Sequence, residues 1–287
     1  MKLALGTVQF GLDYGVSNRR GQVSIEGVQE TLSLANDLGI DTLDTAAAYG
    51  KSESVLGGND LSPFNVISKV APRHGSCKSA KKWIRDSVEA SLENLQETSL
   101  YALLLHRSDD LLGVDAENVY SELLSLKKLG IVKKIGVSVY TPDEANKIFS
   151  KFELDIIQAP MNILDRRMQV SGCLEKLKQR GVEVHIRSAF LQGLLLMEPQ
   201  KRPSYFAPWE ELLSSFDSWV SENKLSRIEA CLGFLAFQDT IDKIVVGVES
   251  AMQLGELASS VSRVKVKPPK SILSFDNQLI NPAFWKL

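Results

Sequence analysis

An aspartate closes the apolar run IDTLD (40–44), and five residues later a tyrosine stands in a loop of small residues, DTAAAYG. Two further reactive side chains close other apolar runs: Lys69 ends NVISK (65–69) and His106 ends LYALLLH (100–106). A lysine taken out of water is costly unless it is paired, and Asp44, one strand away, can neutralise it. A charged Lys69 beside Tyr49 favours the phenolate and should lower a phenol pKa whose ordinary value is about 10. Tyr49 is then a candidate proton donor to a carbonyl oxygen, with His106 hydrogen-bonded to the same oxygen and setting its direction. None of the four can supply a hydride, so the set calls for a redox cofactor.

These residues meet only if their strands lie side by side. Eight short apolar runs recur along the 287 residues: KLALG (2–6), IDTLD (40–44), NVISK (65–69), LYALLLH (100–106), KIGVSV (134–139), LDIIQ (154–158), VEVHIR (182–187) and KIVVGV (243–248). Each reads as a buried strand. Segments with helical spacing alternate with them, such as Ile25, Val28, Leu32 and Ala35, or Ile84, Val88, Leu92 and Leu95. Thr141–Glu144 and Ser226–Glu229 read as capping boxes, and Ser250–Gln253 repeats the pattern with glutamine. Gly39, Gly130 and Gly181 each follow a helical run, where a left-handed stop favours glycine.

Eight βα units with no long Pro/Ser-rich linker predict one α/β domain over residues 1–287, a closed (β/α)8 TIM barrel with a C-terminal loop at about 262–287. A doubly wound open sheet is the alternative. In a barrel the loops after the strands share one mouth, so carboxyl-end residues become site candidates. That filter selects Asp44, Lys69, His106, Ser138, Gln158, Arg187 and Ser188, with Tyr49 in the loop after Asp44.

Composition narrows the partners. A formal net charge of -2 gives no basic field for nucleic acid, and no apolar run approaches the ~18 residues of a membrane span. A small molecule is the expected partner of a monomer or small homo-oligomer. Cys77, Cys173 and Cys231 lack C-x-x-C spacing and read as free thiols, and no signal-peptide pattern opens the sequence, so a cytoplasmic location is expected. His74 and His185 read as surface and core histidines, with no metal expected. Trp83 is expected to pack helix against barrel, and Tyr205, Phe206 and Trp209 in PSYFAPWE either cover a pocket or pack on the barrel wall. Phe284 and Trp285 in the tail border a substrate site or form a dimer contact.

The sequence resembles the aldo-keto reductase superfamily from LALGTVQFG to about residue 258. DTAAAYG followed by SESVLG, SKV (68–70), LLLHRSD (103–109), IGVSVY (135–140) and IIQAPMN (156–162) carry the resemblance. It implies a (β/α)8 barrel in which Tyr49 is the acid, Asp44 and Lys69 tune it, and His106 orients the carbonyl. It also implies NADP(H), with NAD(H) as a second cofactor. Ser138 and Gln158 would hold the nicotinamide carboxamide, and Arg187, Ser188, Phe190, Gln192 and Gly193 would follow the pyrophosphate. In VGVESAMQLGE (246–256), Gly247, Glu249, Gln253 and Glu256 would form the adenosine segment.

The departures from the family are specific. The sequence opens at its first barrel strand, where many members carry a hairpin that plugs the barrel bottom. Val8 stands where many have tryptophan, Val139 where they have asparagine, and Arg187 where they stack a tyrosine on nicotinamide. A guanidinium can also stack. Val8 and Arg107 are the positions expected to face substrate, and Arg107 suggests an anionic or polyhydroxylated carbonyl unless it pairs with Asp109. No cation stands in GVESAMQ to pair with a 2′-phosphate, and the Glu249 carboxylate would repel one and could accept a ribose 2′-hydroxyl, so these residues lean toward NADH. Set against the NADPH that most members of the family prefer, dual cofactor use with a small NADPH preference is expected. The function implied is an NAD(P)H-dependent oxidoreductase acting on an aldehyde or ketone, such as a sugar or other polar carbonyl. A Schiff-base lyase using Lys69 and a non-catalytic cofactor-binding module are the alternatives.

Overall fold

Strand β1 (Leu3–Gly6) pairs in parallel with both β2 (Thr42–Asp44) and β8 (Lys243–Gly247), which closes the sheet on itself. Between them run β3 (Asn65–Lys69), β4 (Leu100–Leu105), β5 (Val132–Ser138), β6 (Ile156–Pro160) and β7 (Glu183–Arg187), all in sequence order. The result is the expected (β/α)8 barrel rather than an open sheet. This computed structural model describes residues 1–18, 20–73, 79–261 and 265–287; His74 and Cys77 lie outside them.

Alternation along the strands separates two cores. Ile67, Ala102, Leu104 and Ile156 form a small cluster inside the barrel, while Val66, Leu103, Leu105 and Ile157 join the larger cluster between strands and helices. Two residues beyond Ile67, Leu104 and Ile156 on the same strand faces come Lys69, His106 and Gln158. The period of two that builds the inner core therefore also lifts these side chains to the mouth.

At the opposite end a polar network lines the barrel floor. Tyr101 Oη accepts from Lys134 Nζ at 2.7 Å and donates to Glu183 Oε2 at 2.8 Å, and Lys134 pairs directly with Glu183. Glu183 Oε1 lies 2.6 Å from Nε2 of the fully buried His185, which is the core histidine expected. Burial alone would raise the Glu183 pKa, but the hydrogen bonds from His185, Lys134 and Tyr101 outweigh it and hold the carboxyl at about 2.

The principal helices are α1 (Ile25–Asp37), α2 (Ser52–Gly57), α3 (Ala80–Leu95), α4 (Ala116–Lys128), α5 (Pro142–Phe149), α6 (Cys173–Gln179), α7 (Glu210–Glu222), α8 (Arg227–Ala236) and α9 (Ala251–Ser260). Ile25 opens α1 on the solvent side, so the buried stripe begins at Val28. The box at Ser226 is complete. In the other two the reciprocal bond reaches one residue further back: Glu144 accepts from the Tyr140 N–H, and Gln253 from the Glu249 N–H. Trp83 is buried on α3, with its indole N–H donated to Ala71 O.

The aromatic loop and the C-terminal segment pack on each other. Phe206 and Trp285 meet edge to face with ring centroids 4.8 Å apart, and Trp209 Nε1 donates to Asp276 Oδ2 at 2.9 Å. The C-terminal segment is more than a loop, since it contains turns of helix at Lys270–Ile272, Asn277–Ile280 and Pro282–Phe284.

Candidate active site

Lys69 ends β3 sealed from solvent, at 1% side-chain exposure. Its Nζ donates to Asp44 Oδ1 at 2.7 Å and Thr45 O at 2.9 Å, and lies 3.4 Å from Tyr49 Oη. Burial works against the ammonium, but the Asp44 carboxylate and the Tyr49 oxygen outweigh it and raise the Lys69 pKa above its ordinary value. The second oxygen of Asp44 accepts from Gln158 Nε2 at 2.6 Å, so neither of its oxygens is left unpaired.

Tyr49 and His106 face each other edge to face, with ring centroids 5.9 Å apart. Burial, assisted by the Lys69 charge, pushes the His106 pKa down to about 4. At neutral pH the ring is therefore an uncharged imidazole with a single N–H to donate.

Local packing fixes the Tyr49 loop. Ser52, the first residue of α2, donates to Thr7 O at 2.8 Å and sits 3.1 Å from Thr45 Oγ1, tying the loop to the end of β1. Buried Glu53 accepts from Ser68 Oγ at 2.5 Å, which locks α2 against β3. The main chain at Gly11 presses so closely that a Cβ there would lie 1.9 Å from Tyr49 O. The SES of the motif is thus a brace for the tyrosine loop.

A cavity of about 730 Å³ opens beside these residues. Asp44, Tyr49, His106, Ser138, Gln158 and Val8 line its inner end, with Lys69 behind the wall. Arg187, Ser188, Phe190, Gln192 and Gly193 form one side, and Gly247, Glu249, Gln253 and Glu256 the outer end. Ser188, Leu191 and Gln192 all have positive φ, at 60, 50 and 52°, a concentration of backbone strain in one loop. That loop is clasped from the β1 side: Gln192 Nε2 donates to Tyr14 Oη at 2.8 Å and Gln192 O accepts from Val16 N at 3.1 Å. Gly193, with φ of 93°, packs against Ser17 where any Cβ would collide with the serine oxygen.

Arg107 is outside the cavity lining; its side chain is 66% exposed and pairs with Asp109 at 3.1 Å. The aromatic loop and C-terminal segment also contribute no lining residue among those described. Conversely, Gln9, Tyr14, Tyr140 and Arg227 line the cavity without having been singled out by the strand-end filter. Arg187 Cζ stands 4.4 Å from the Tyr140 ring centroid, and Arg187 Nη2 donates to Val139 O at 3.2 Å.

A family model described as the aldo/keto reductase family matches residues 2–272. The chain belongs to that family. An aldo-keto reductase of Gibberella moniliformis is 26% identical over 237 residues, 78% of this chain and 70% of that protein. The 6-dehydroglucose reductase of Agrobacterium fabrum is 30% identical over 201 residues, 63% of this chain and 65% of that enzyme. Several of these relatives are thus spanned over about two thirds of their length. Among solved structures, an aldo-keto reductase of Bacillus halodurans in its holo form superposes with a TM-score of 0.74 at 21% identity, covering 93% of this chain and 88% of that one. In this aldo/keto reductase Asp44, Tyr49 and His106 meet at one end of the cavity with Lys69 behind them, and Arg187 lies beside the Tyr140 ring.

Proposed function

We propose that this aldo/keto reductase reduces an aldehyde or ketone to the alcohol with a nicotinamide dinucleotide, and runs the reverse oxidation. The observation that carries the reading is the Lys69 ammonium, 2.7 Å from Asp44 and 3.4 Å from Tyr49 Oη, beside an uncharged His106 at the inner end of the cavity. Tyr49 gives its proton to the carbonyl oxygen as negative charge develops there. Lys69 stabilises the phenolate left behind, and Asp44 offsets the cost of holding Lys69 charged. His106 donates a hydrogen bond to the same oxygen and aims it.

The residues present fit the cofactor. The cavity lining runs from Asp44, Tyr49 and His106 to Gln253 and Glu256 in α9. Gln9 Oε1, in a residue of that lining, is buried without a hydrogen-bond partner. Ser138 and Gln158 would hold the carboxamide, the Arg187 guanidinium backed by Tyr140 would support the ring, and the clasped loop from Ser188 to Gly193 would run along the pyrophosphate. When bound, the reduced nicotinamide supplies the hydride.

Among the described residues no helix is long and apolar enough to cross a membrane. Burial pushes the thiols of Cys173 and Cys231 up to about 11 and about 12, which keeps them protonated and unreactive.

The test follows nicotinamide absorbance across sugars, sugar acids and aromatic aldehydes, with borohydride trapping in parallel. Carbonyl-dependent oxidation of the reduced cofactor with no adduct on Lys69 is expected. A trapped Lys69 adduct without cofactor consumption would establish the lyase instead, and cofactor binding without turnover the binding module.

A further inference from the structure

The outer end of the cavity carries an unbalanced charge. It is lined by the loop after β8 with the start of α9, by the start of α8, and by the segment after the clasped loop. Among the described residues its charged side chains are Glu198, Glu249, Glu256 and Arg227. Glu198 is exposed and paired with Lys201, and Glu256 is exposed, so solvent screens both.

Glu249 differs. It is half-buried, and among the described residues its carboxylate has no ion-pair partner within 4 Å. Its main chain is fixed, because the Glu249 N–H donates to Gln253 Oε1 at 2.8 Å and the Gln253 N–H donates to Ser250 Oγ at 3.3 Å. Burial raises its pKa, opposed by the Arg20 charge, but Arg20 is itself exposed and outside the cavity lining. A partly desolvated carboxylate on a fixed main chain, without a donor among the described residues, suits a ligand that brings donors, and a ribose diol brings two.

Among the described residues Arg227 is the cation that lines this end, and it is committed elsewhere. It pairs with Asp217, whose same oxygen accepts from Arg202 at 2.7 Å. A phosphate arriving here would meet the Glu249 charge and have to draw Arg227 from Asp217.

We infer that the outer end selects NADH over NADPH, with Glu249 accepting the adenosine ribose hydroxyls and repelling a 2′-phosphate. The inference rests on the functional reading above and reverses the small NADPH preference expected from the sequence.

Direct binding tests it without turnover. Titration calorimetry with NADH and NADPH, on wild type and on Glu249→Gln, Glu249→Arg and Arg227→Ala, is compared at one fixed ionic strength, with thermal unfolding confirming that each variant is folded. Wild type should bind NADH at least ~10-fold more tightly (about 1.4 kcal/mol). Glu249→Gln should bring the ratio toward one, and Glu249→Arg should favour NADPH. Equal or tighter NADPH binding by wild type, or a ratio unmoved by Glu249→Gln, would overturn the inference and leave the reductase reading intact. So would an Arg227→Ala variant that weakens NADPH alone, since it would place the phosphate at Arg227. Binding of neither nucleotide would overturn both readings.

Discussion

Gln158 donates its side-chain amide to Asp44 Oδ2 at 2.6 Å, on the far side of the carboxylate from Lys69. Both residues line the cavity where the nicotinamide is proposed to lie, so one amide touches the cofactor site and the base of the proton-donating set at once. Removing it leaves a buried anionic oxygen without its donor. We predict that Gln158→Leu lowers unfolding free energy by about 1–3 kcal/mol, the cost of such a group. Urea denaturation of the purified protein reads this, and a change below ~0.5 kcal/mol would show that Asp44 is satisfied in another way.

His106 should titrate far below an ordinary histidine. Burial and the Lys69 charge place its pKa at about 4. The linked stability is fully present above the unfolded value near 6.5 and is lost as pH falls through 4. Imidazole NMR signals, assigned with His106→Asn, should stay in the neutral form from pH 8 to pH 5; a midpoint near 6.5 would contradict the described burial.

The barrel floor gives a pH signature of its own. Glu183 is held at about 2, below its ordinary 4.5, so the stability it contributes is present above 4.5 and lost as pH falls toward 2. Glu183→Gln should be less stable than wild type at pH 7, and the gap should shrink across that window as the wild-type carboxyl becomes neutral. A gap independent of pH would mean that shape, not charge, closes the floor.

Much of this was legible in the sequence because one period carries two messages. The alternation that makes Ile67, Leu104 and Ile156 an inner core also puts Lys69, His106 and Gln158 at one end of the barrel, so strand-end polarity picked out side chains that the fold brings together. The same period explains why Arg107 takes the second course that the sequence offered: the residue after His106 leaves the inner face, and its guanidinium turns to Asp109 in solvent. Residues that reach the cavity from loops obey no such period. Tyr14 finds Gln192 across 178 positions, a relation set by barrel closure rather than by any local pattern. The aromatic loop carried two readings, and its actual partner, Trp285, comes from the C-terminal segment.

The central claim is that Tyr49 delivers the proton to a carbonyl at this cavity, and single-turnover kinetics on Tyr49→Phe test it most directly. With cofactor bound and a good carbonyl substrate in excess, cofactor oxidation should slow by at least ~100-fold, within the range a positioned general acid supplies. Cofactor affinity, measured separately by calorimetry, should stay close to wild type. A single-turnover rate near that of wild type would contradict the account.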